Sequence, residues 1–443
     1  MPRFYVTTAV PTATAPPGRD FALEVVQADV LARHHGVHGD RVRFLTGVDD
    51  AVDAPDGDAD AFEALRAPLA LSFTDFVRTG RDARHRSGAE RLWRACADAG
   101  DLRRGTGGWV FRLSRHADRL HEVIRGGALR IEPAARRALV LDLLADGLRD
   151  VAVSRPRTGD HGIPVPGDPG QVVHASWNAL SGLVTGLGYG SGGPNHRRWW
   201  RDGDRRVHVV GEAALHDHAL LWPAVLLSAG EPLPTDVLVH ARATGVHADP
   251  ADLARRYGSD AVRWWLLREA PRPSDAGLPA ARLVARANRD LASTLGKLVD
   301  RVVVMVHRYR GGRPPAPAGH VPGSEGLLAA CREAPEDVHE ALTAFDFPRA
   351  VAVVWRIVEE GDRYLAAARP WELAHAESDG DPTAAGRLDA VLAVLLAACR
   401  TLANQLTPFL PALATRIAAQ CFALSGSLAR PRVLYPRLPP VAS

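Results

Sequence analysis

Lysine is almost absent from this chain: Lys297 is the only one among 443 residues, and arginine carries nearly all the other positive charge. A side-chain ammonium contact to a phosphate comes from that one position, and every other such contact falls to arginine. Cysteine is scarce too. Cys96, Cys331, Cys399 and Cys421 are far apart and form no CxxC pair, which argues against both a zinc knuckle and a disulfide framework, so no metal is expected. Reduced thiols imply the cytoplasm. No stretch of about 18 uncharged apolar residues occurs, which excludes a helical membrane span. The first residues read as a strand rather than a signal peptide. A net charge of +3 gives no general attraction to DNA. GxSxG, HExxH, Walker and EF-hand patterns are all missing.

The length suffices for two or three domains with sizeable cores. Phe4, Val6 and Val10 mark a buried strand. Pro16, Pro17 and Gly18 interrupt it. Phe21, Val25, Ala28 and Ala32 then recur at helical spacing, with Gly36 placed as the C-terminal cap. Val42–Leu45 reads as the next strand. The segment is a βαβ unit, with ligands expected at the carboxyl ends of its strands. Arg206–Gly211 and Val237–His240 repeat this grammar around an apolar helix, Leu215–Ser228. Basic Arg197–Arg206, with Trp199 and Trp200, reads as a surface hairpin, with nucleic-acid binding as the alternative. Glycine-rich Gly186–Pro194 reads as a flexible connection. From about Pro279 the pattern is helical throughout.

Several segments carry a family resemblance, and they occur in family order. They are RFYVTTAVP (Arg3–Pro11), VVQADVLARHHGVHGDRVRFLTGVDD (Val25–Asp50), GIPVPGDP (Gly162–Pro169), ADPADLARRYGSDAVRWWLLREAP (Ala248–Pro271) and RPWELA (Arg369–Ala374). Through them the chain resembles the methionyl-tRNA synthetases, a class I aminoacyl-tRNA synthetase family. The resemblance implies an α/β Rossmann-like catalytic domain with a shortened insertion, followed by an all-α anticodon-binding-like bundle. The expected domains are 1–100 and 151–277 for the two catalytic halves, 101–150 for a trimmed insertion without zinc, and 278–443 for the helical domain and tail.

The same resemblance locates the chemistry and shows where it is altered. The family's HIGH signature falls on Gly18, Arg19, Asp20 and Phe21. Asp20 is expected to cap the helix. A carboxylate about 4 Å from a phosphate charge costs about 4 kcal/mol at an effective dielectric near 20. The KMSKS loop is shortened and keeps only Arg242 as a basic residue. Glu212 stands where the family has a lysine. The amino-acid site is expected at Val10, Thr12, Asp49, Asp50, Ser176, Trp177, Leu183, His218 and Trp222, with the two aspartates on the substrate ammonium. The family's aromatic wall has become Thr12, Ser176 and Leu183, with Trp177 beside it as a substitute. The tRNA site is expected at Lys297, Arg301 and Trp371.

In the family the reaction joins L-methionine to tRNA using ATP. Three readings of this chain stay open. It is a paralogue that binds an amino acid, tRNA or protein partner without that reaction; or an amino-acid-activating ligase of specialised metabolism; or a divergent but active methionine–tRNA ligase. ATP and Mg²⁺ are expected only if activity is kept. A monomer is expected.

Overall fold

Five successive buried residues in Arg3–Thr8 and five in Asp236–His240 mark strands covered on both faces, as parallel sheets require. The computed structural model describes residues 1–50, 56–158, 162–241, 249–269, 280–316, 321–423 and 426–440. The chain forms two units. One is Met1–Ala251 with Pro271–Ser274; the other is Asp252–Ala270 with Asp275–Ser443.

The first unit is built on a six-stranded sheet. Its strands are β1 (Arg3–Thr8), β2 (Arg41–Val48), β3 (Asp75–Arg78), β4 (Arg130–Glu132), β5 (Arg205–Gly211) and β6 (Asp236–His240). Their order is β3-β2-β1-β5-β6-β4, and every pairing is parallel. Val6 lies between Phe44 of β2 and Val207 of β5. The chain leaves β1 towards β2 on one side and meets β5 on the other, so a crevice opens at the carboxyl ends of β1 and β5. Strand β4 falls inside the stretch 101–150 that the sequence assigns to an insertion, yet it extends the main sheet through Ile131 opposite Val237. Before it, Leu102–Arg104 and Trp109–Phe111 form a hairpin that pairs with Val151–Ala152.

Three elements frame the crevice. Helix α1 (Arg19–Val37) is buried along most of its length. Its N-cap is Gly18, with extended backbone and no side-chain bond. Asp20 is therefore not the cap that the sequence suggests. It is a first-turn acid, stabilised by the positive helix end. Gly36 lies inside the last turn; His38 is the C-cap, and Gly39, at φ 86°, takes the left-handed position. Helix α2 (Ala175–Thr185) starts at His174, whose ring accepts from the Ser176 amide at 3.3 Å. Asp217–Leu221 is a wide π-type turn that leads into α3 (Trp222–Ser228). Such turns recur at functional sites. The expected surface hairpin is not one: His196–Arg201 is a helical turn with Trp199 and Trp200 buried.

The second unit is helical. Buried Arg263, in helix Ser259–Glu269, donates to the carbonyls of Phe409 (2.7 Å) and Pro408 (2.9 Å). These contacts tie its helix into the bundle. Among the described residues no helix is long and apolar enough to cross a membrane.

Candidate functional site

A cavity of about 510 Å³ fills the crevice, within the usual range for a small-molecule site. Ala9–Thr12 after β1, Gly211–Ala214 after β5 and His240 at the end of β6 form its base. Asp20, Phe21 and Glu24 reach it from α1, and Ser176, Ala179 and Leu180 from α2. Asp217 and His218 come from the π-type turn.

Glu24 is the hub of the base. Its Oε1 accepts from the Ala9 amide at 2.7 Å, and its Oε2 accepts from the Gly211 amide at 2.9 Å. Oε2 also stands 3.5 Å from His240 Nε2. Burial, the largest single influence on His240, disfavours the charged ring. The hydrogen bond and charge of Glu24, with help from the Ala241 carbonyl, outweigh it and raise the imidazole above its ordinary value. A Cβ at Gly211 would lie 3.3 Å from the His240 ring, so glycine suits this close approach.

Charge sets the character of the cavity. Asp20, Glu24, Glu212 and Asp217 line it, and no arginine or lysine does so among the described residues. Glu212 pairs with Arg136 at 2.8 Å. Arg19 is buried beside Asp20 on α1 but does not line the cavity; burial lowers its pKa, against the pull of Asp20. Gly18 is the helix cap rather than a lining residue, and Phe21 stacks edge-on against Phe62, centroids 5.0 Å apart. Arg242 lies outside the described residues.

The expected amino-acid residues divide. Val10, Thr12, Ser176 and His218 do line the cavity. His218 is buried, its pKa lowered to about 4 by that burial despite Asp217, and its Nδ1 has no hydrogen-bond partner among the described residues. The others are engaged elsewhere. Trp177, expected as a substitute aromatic wall, does not line the cavity; it packs against Trp93 and Phe111 at 5.4 and 5.9 Å. Leu183 is fully buried, and its carbonyl accepts from the Tyr5 hydroxyl at 2.7 Å. Trp222 packs beside Trp200 at 6.2 Å.

The aspartate pair is engaged as well. Asp49 is 0% exposed, and its Oδ1 accepts from Thr79 Oγ1 at 2.5 Å and Asn178 Nδ2 at 2.8 Å. Asp50 accepts from Arg78 Nε at 2.9 Å and the Gly80 amide at 2.7 Å. Neither lines the cavity. The sequence misses Glu24, Asp217 and His240. Glu24 lies one helical turn after Asp20, a spacing that places both on one face; that signal was available.

In the helical unit, α4 (Lys297–Arg310), α5 (Phe347–Ala368) and α6 (Pro370–Ser378) surround a separate hollow of about 400 Å³ lined by Arg301, Val304, Met305, Asp362, Leu365, Ala366 and Trp371. Trp371 is 43% exposed. Burial raises the Asp362 carboxyl, and Arg301 opposes it. The structure thus joins two of the three expected tRNA residues. Lys297 is exposed one turn before Arg301 and does not line the hollow.

Residues 96–303 match the family profile described as tRNA synthetases class I (M). The methionine–tRNA ligase of Caldanaerobacter subterraneus subsp. tengcongensis is 29% identical, across 92% of this chain and 72% of its own. That of Brucella suis is 28% identical, across 94% and 91%. The structure of Mycobacterium tuberculosis methionyl-tRNA synthetase bound by methionyl-adenylate superposes with a TM-score of 0.90 at 27% identity, covering 98% of this chain and all of that one. Parallel sheet, crevice and helical second unit therefore define a class I aminoacyl-tRNA synthetase fold. Within that class, the chain is similar over nearly its whole length to methionyl-tRNA synthetases.

Proposed function

We propose that this protein is a methionyl-tRNA synthetase paralogue that no longer activates amino acids with ATP and uses its cavity to bind an amino-acid-type ligand. The observation that carries this reading is the acidic lining: four carboxylates and no described guanidinium or ammonium. Transferring a nucleotidyl group requires donors aimed at developing negative charge. Asp20, Glu24 and Glu212 present the opposite sign at the base of the crevice. A carboxylate about 4 Å from a phosphate charge opposes binding by about 4 kcal/mol at an effective dielectric near 20, an opposition that Arg136 offsets in part at Glu212 and His240 at Glu24. The cavity's remaining wall, with Val10, Leu180 and His218, has the mixed apolar and polar chemistry of a small-ligand site.

The test is ATP–pyrophosphate exchange with each of the twenty amino acids, beside a thermal-shift screen of the same set. No exchange is expected, together with stabilisation by at least one amino acid in the absence of ATP. A ligand at about 100 times its Kd stabilises by about 2.7 kcal/mol, which is readily seen. Exchange above background with any amino acid, or a shift with ATP alone, overturns the reading.

The helical hollow supports retained contact with RNA. Trp371 offers an exposed ring beside the Arg301 guanidinium, the combination on which an unstacked base rests. Trp371→Ala is expected to weaken binding of a tRNA by about 1–3 kcal/mol in a filter-binding assay at fixed salt. Its melting temperature is expected to match the parent, because the side chain is half exposed.

A further inference from the structure

Resting on the amino-acid reading of the cavity, we propose that its ligand carries a second amine: an amino acid whose side chain ends in an ammonium group, seated on the Ser176–Asp217 pair. Asp217 and Ser176 line the same cavity, one from the π-type turn and the other from α2. Among the lining carboxylates, Glu24 is matched by two backbone amides and His240, and Glu212 by Arg136. Asp217 differs. Its ion-pair partner is the half-exposed His216 ring, 3.5 Å away, and no arginine or lysine pairs with it among the described residues.

Asp217 nonetheless stays ionised. Burial pushes its pKa up, but the hydrogen bonds from His216 and Ser176 more than compensate and leave it lowered. A carboxylate held in its charged form at a cavity wall, without a permanent cation, matches an ammonium supplied from outside. His218 adds an independent sign of a missing polar partner. It is 4% exposed, lines the same wall, and keeps a neutral ring whose Nδ1 is unpartnered among the described residues. A neutral imidazole nitrogen accepts from an ammonium or donates to a carboxylate, and a diamino acid offers both groups.

Asp49 and Asp50, which the family resemblance sets on the α-ammonium, are consumed by Asn178, Thr79, Arg78 and Gly80. Recognition of amines in this cavity therefore shifts to the wall that carries Asp217. Small residues, Ser176 and Ala179, leave room there. A carboxylate that no arginine or lysine neutralises favours a ligand carrying an ammonium over an uncharged analogue, which leaves it without that partner.

Isothermal titration of the full chain tests this, with L-lysine, L-ornithine, L-norleucine, L-methionine and cadaverine as titrants and no ATP. Lysine or ornithine is expected to bind at least about ten-fold more tightly than norleucine, and cadaverine more weakly than lysine. In Asp217→Asn that preference should fall to about three-fold or less while norleucine binding persists. Ser176→Ala should reduce the preference part-way, and it serves as the second variant if Asp217→Asn does not fold. Norleucine or methionine binding as tightly as lysine overturns the proposal but leaves the ATP-independent reading standing. So does an unaltered preference in both variants. Cadaverine matching lysine overturns the amino-acid assignment in favour of a plain diamine. ATP–pyrophosphate exchange would instead strike the reading on which the proposal rests.

Discussion

Glu24→Gln is expected to cost about 3–5 kcal/mol of folding stability, the range for removing one member of a buried ion pair. The carboxylate serves two backbone donors at once, Ala9 at 2.7 Å and Gly211 at 2.9 Å, and stands 3.5 Å from His240. Glutamine has one carbonyl oxygen. Its amide NH₂ must face the second backbone N–H, so one buried donor loses its acceptor. These contacts join the ends of β1, β5 and β6 through α1, so the loss is not confined to one loop. Denaturant unfolding measures it. A change below about 1 kcal/mol would show that water replaces the lost acceptor.

The pH dependence of the parent protein adds a second readout. His240 has a folded pKa above its unfolded value, so the folded state binds its proton more tightly. The resulting stability is fully present below about pH 6.5 and is lost as pH rises through the raised folded value. The unfolding free energy of the parent should fall across that interval. In Glu24→Gln that fall should disappear and the slope should reverse, because burial, no longer opposed by Glu24, then holds the ring below its ordinary value and stability rises with pH up to about 6.5.

Asp49→Ala is expected to lower stability by about 3 kcal/mol, from two hydrogen bonds to a charged acceptor at roughly 1.5 kcal/mol or more each. Asp49 ends a buried relay. The Thr185 hydroxyl donates to His85 Nδ1 at 2.7 Å, His85 Nε2–H donates to Asn178 Oδ1 at 2.8 Å, and Asn178 Nδ2–H donates to Asp49 Oδ1 at 2.8 Å. Burial lowers the His85 pKa, which suits the neutral ring that this relay requires. Without Asp49, the amide of Asn178 and the hydroxyl of Thr79 lose their acceptor in a dry interior. The melting temperature should drop by roughly 6–12 °C for a unit of this size. Were Asp49 a ligand group, the same variant would lose ligand binding and melt close to the parent; differential scanning calorimetry with titration separates the two.

The contrast between Asp49 and Asp217 shows how much of the site is legible in the chain. Both are acids beside a strand or helix end, and nothing local distinguishes them. The family resemblance selects Asp49 and Asp50, while Asp217 draws no notice beside His218. Asp49 bonds to Asn178, 129 positions away, and Asp50 to Arg78, 28 positions away. Trp177 fails for the same reason. A helix turns 100° between neighbours, so the residue next to Ser176 faces a different layer, and there it meets Trp93 and Phe111. Arg301 and Trp371 are different: the family resemblance selects both, 70 positions apart, and the bundle sets both around one hollow.

The first βαβ unit and the helical second unit follow from the chain alone, because the periodicities of β1, α1 and the bundle helices are carried by residues a few positions apart; the turn at His196–Arg201 and strand β4 do not. The acids Asp20 and Glu212 are equally visible in the chain, and the structure sets both on the crevice. Partnership is a tertiary matter. Glu24 becomes the hub of the crevice only because parallel pairing brings Gly211, 187 positions later, within 2.9 Å of it. Whether a carboxylate is spent inside the protein or left facing a ligand depends on which distant donors the sheet and helices deliver to it, and no local spacing encodes that.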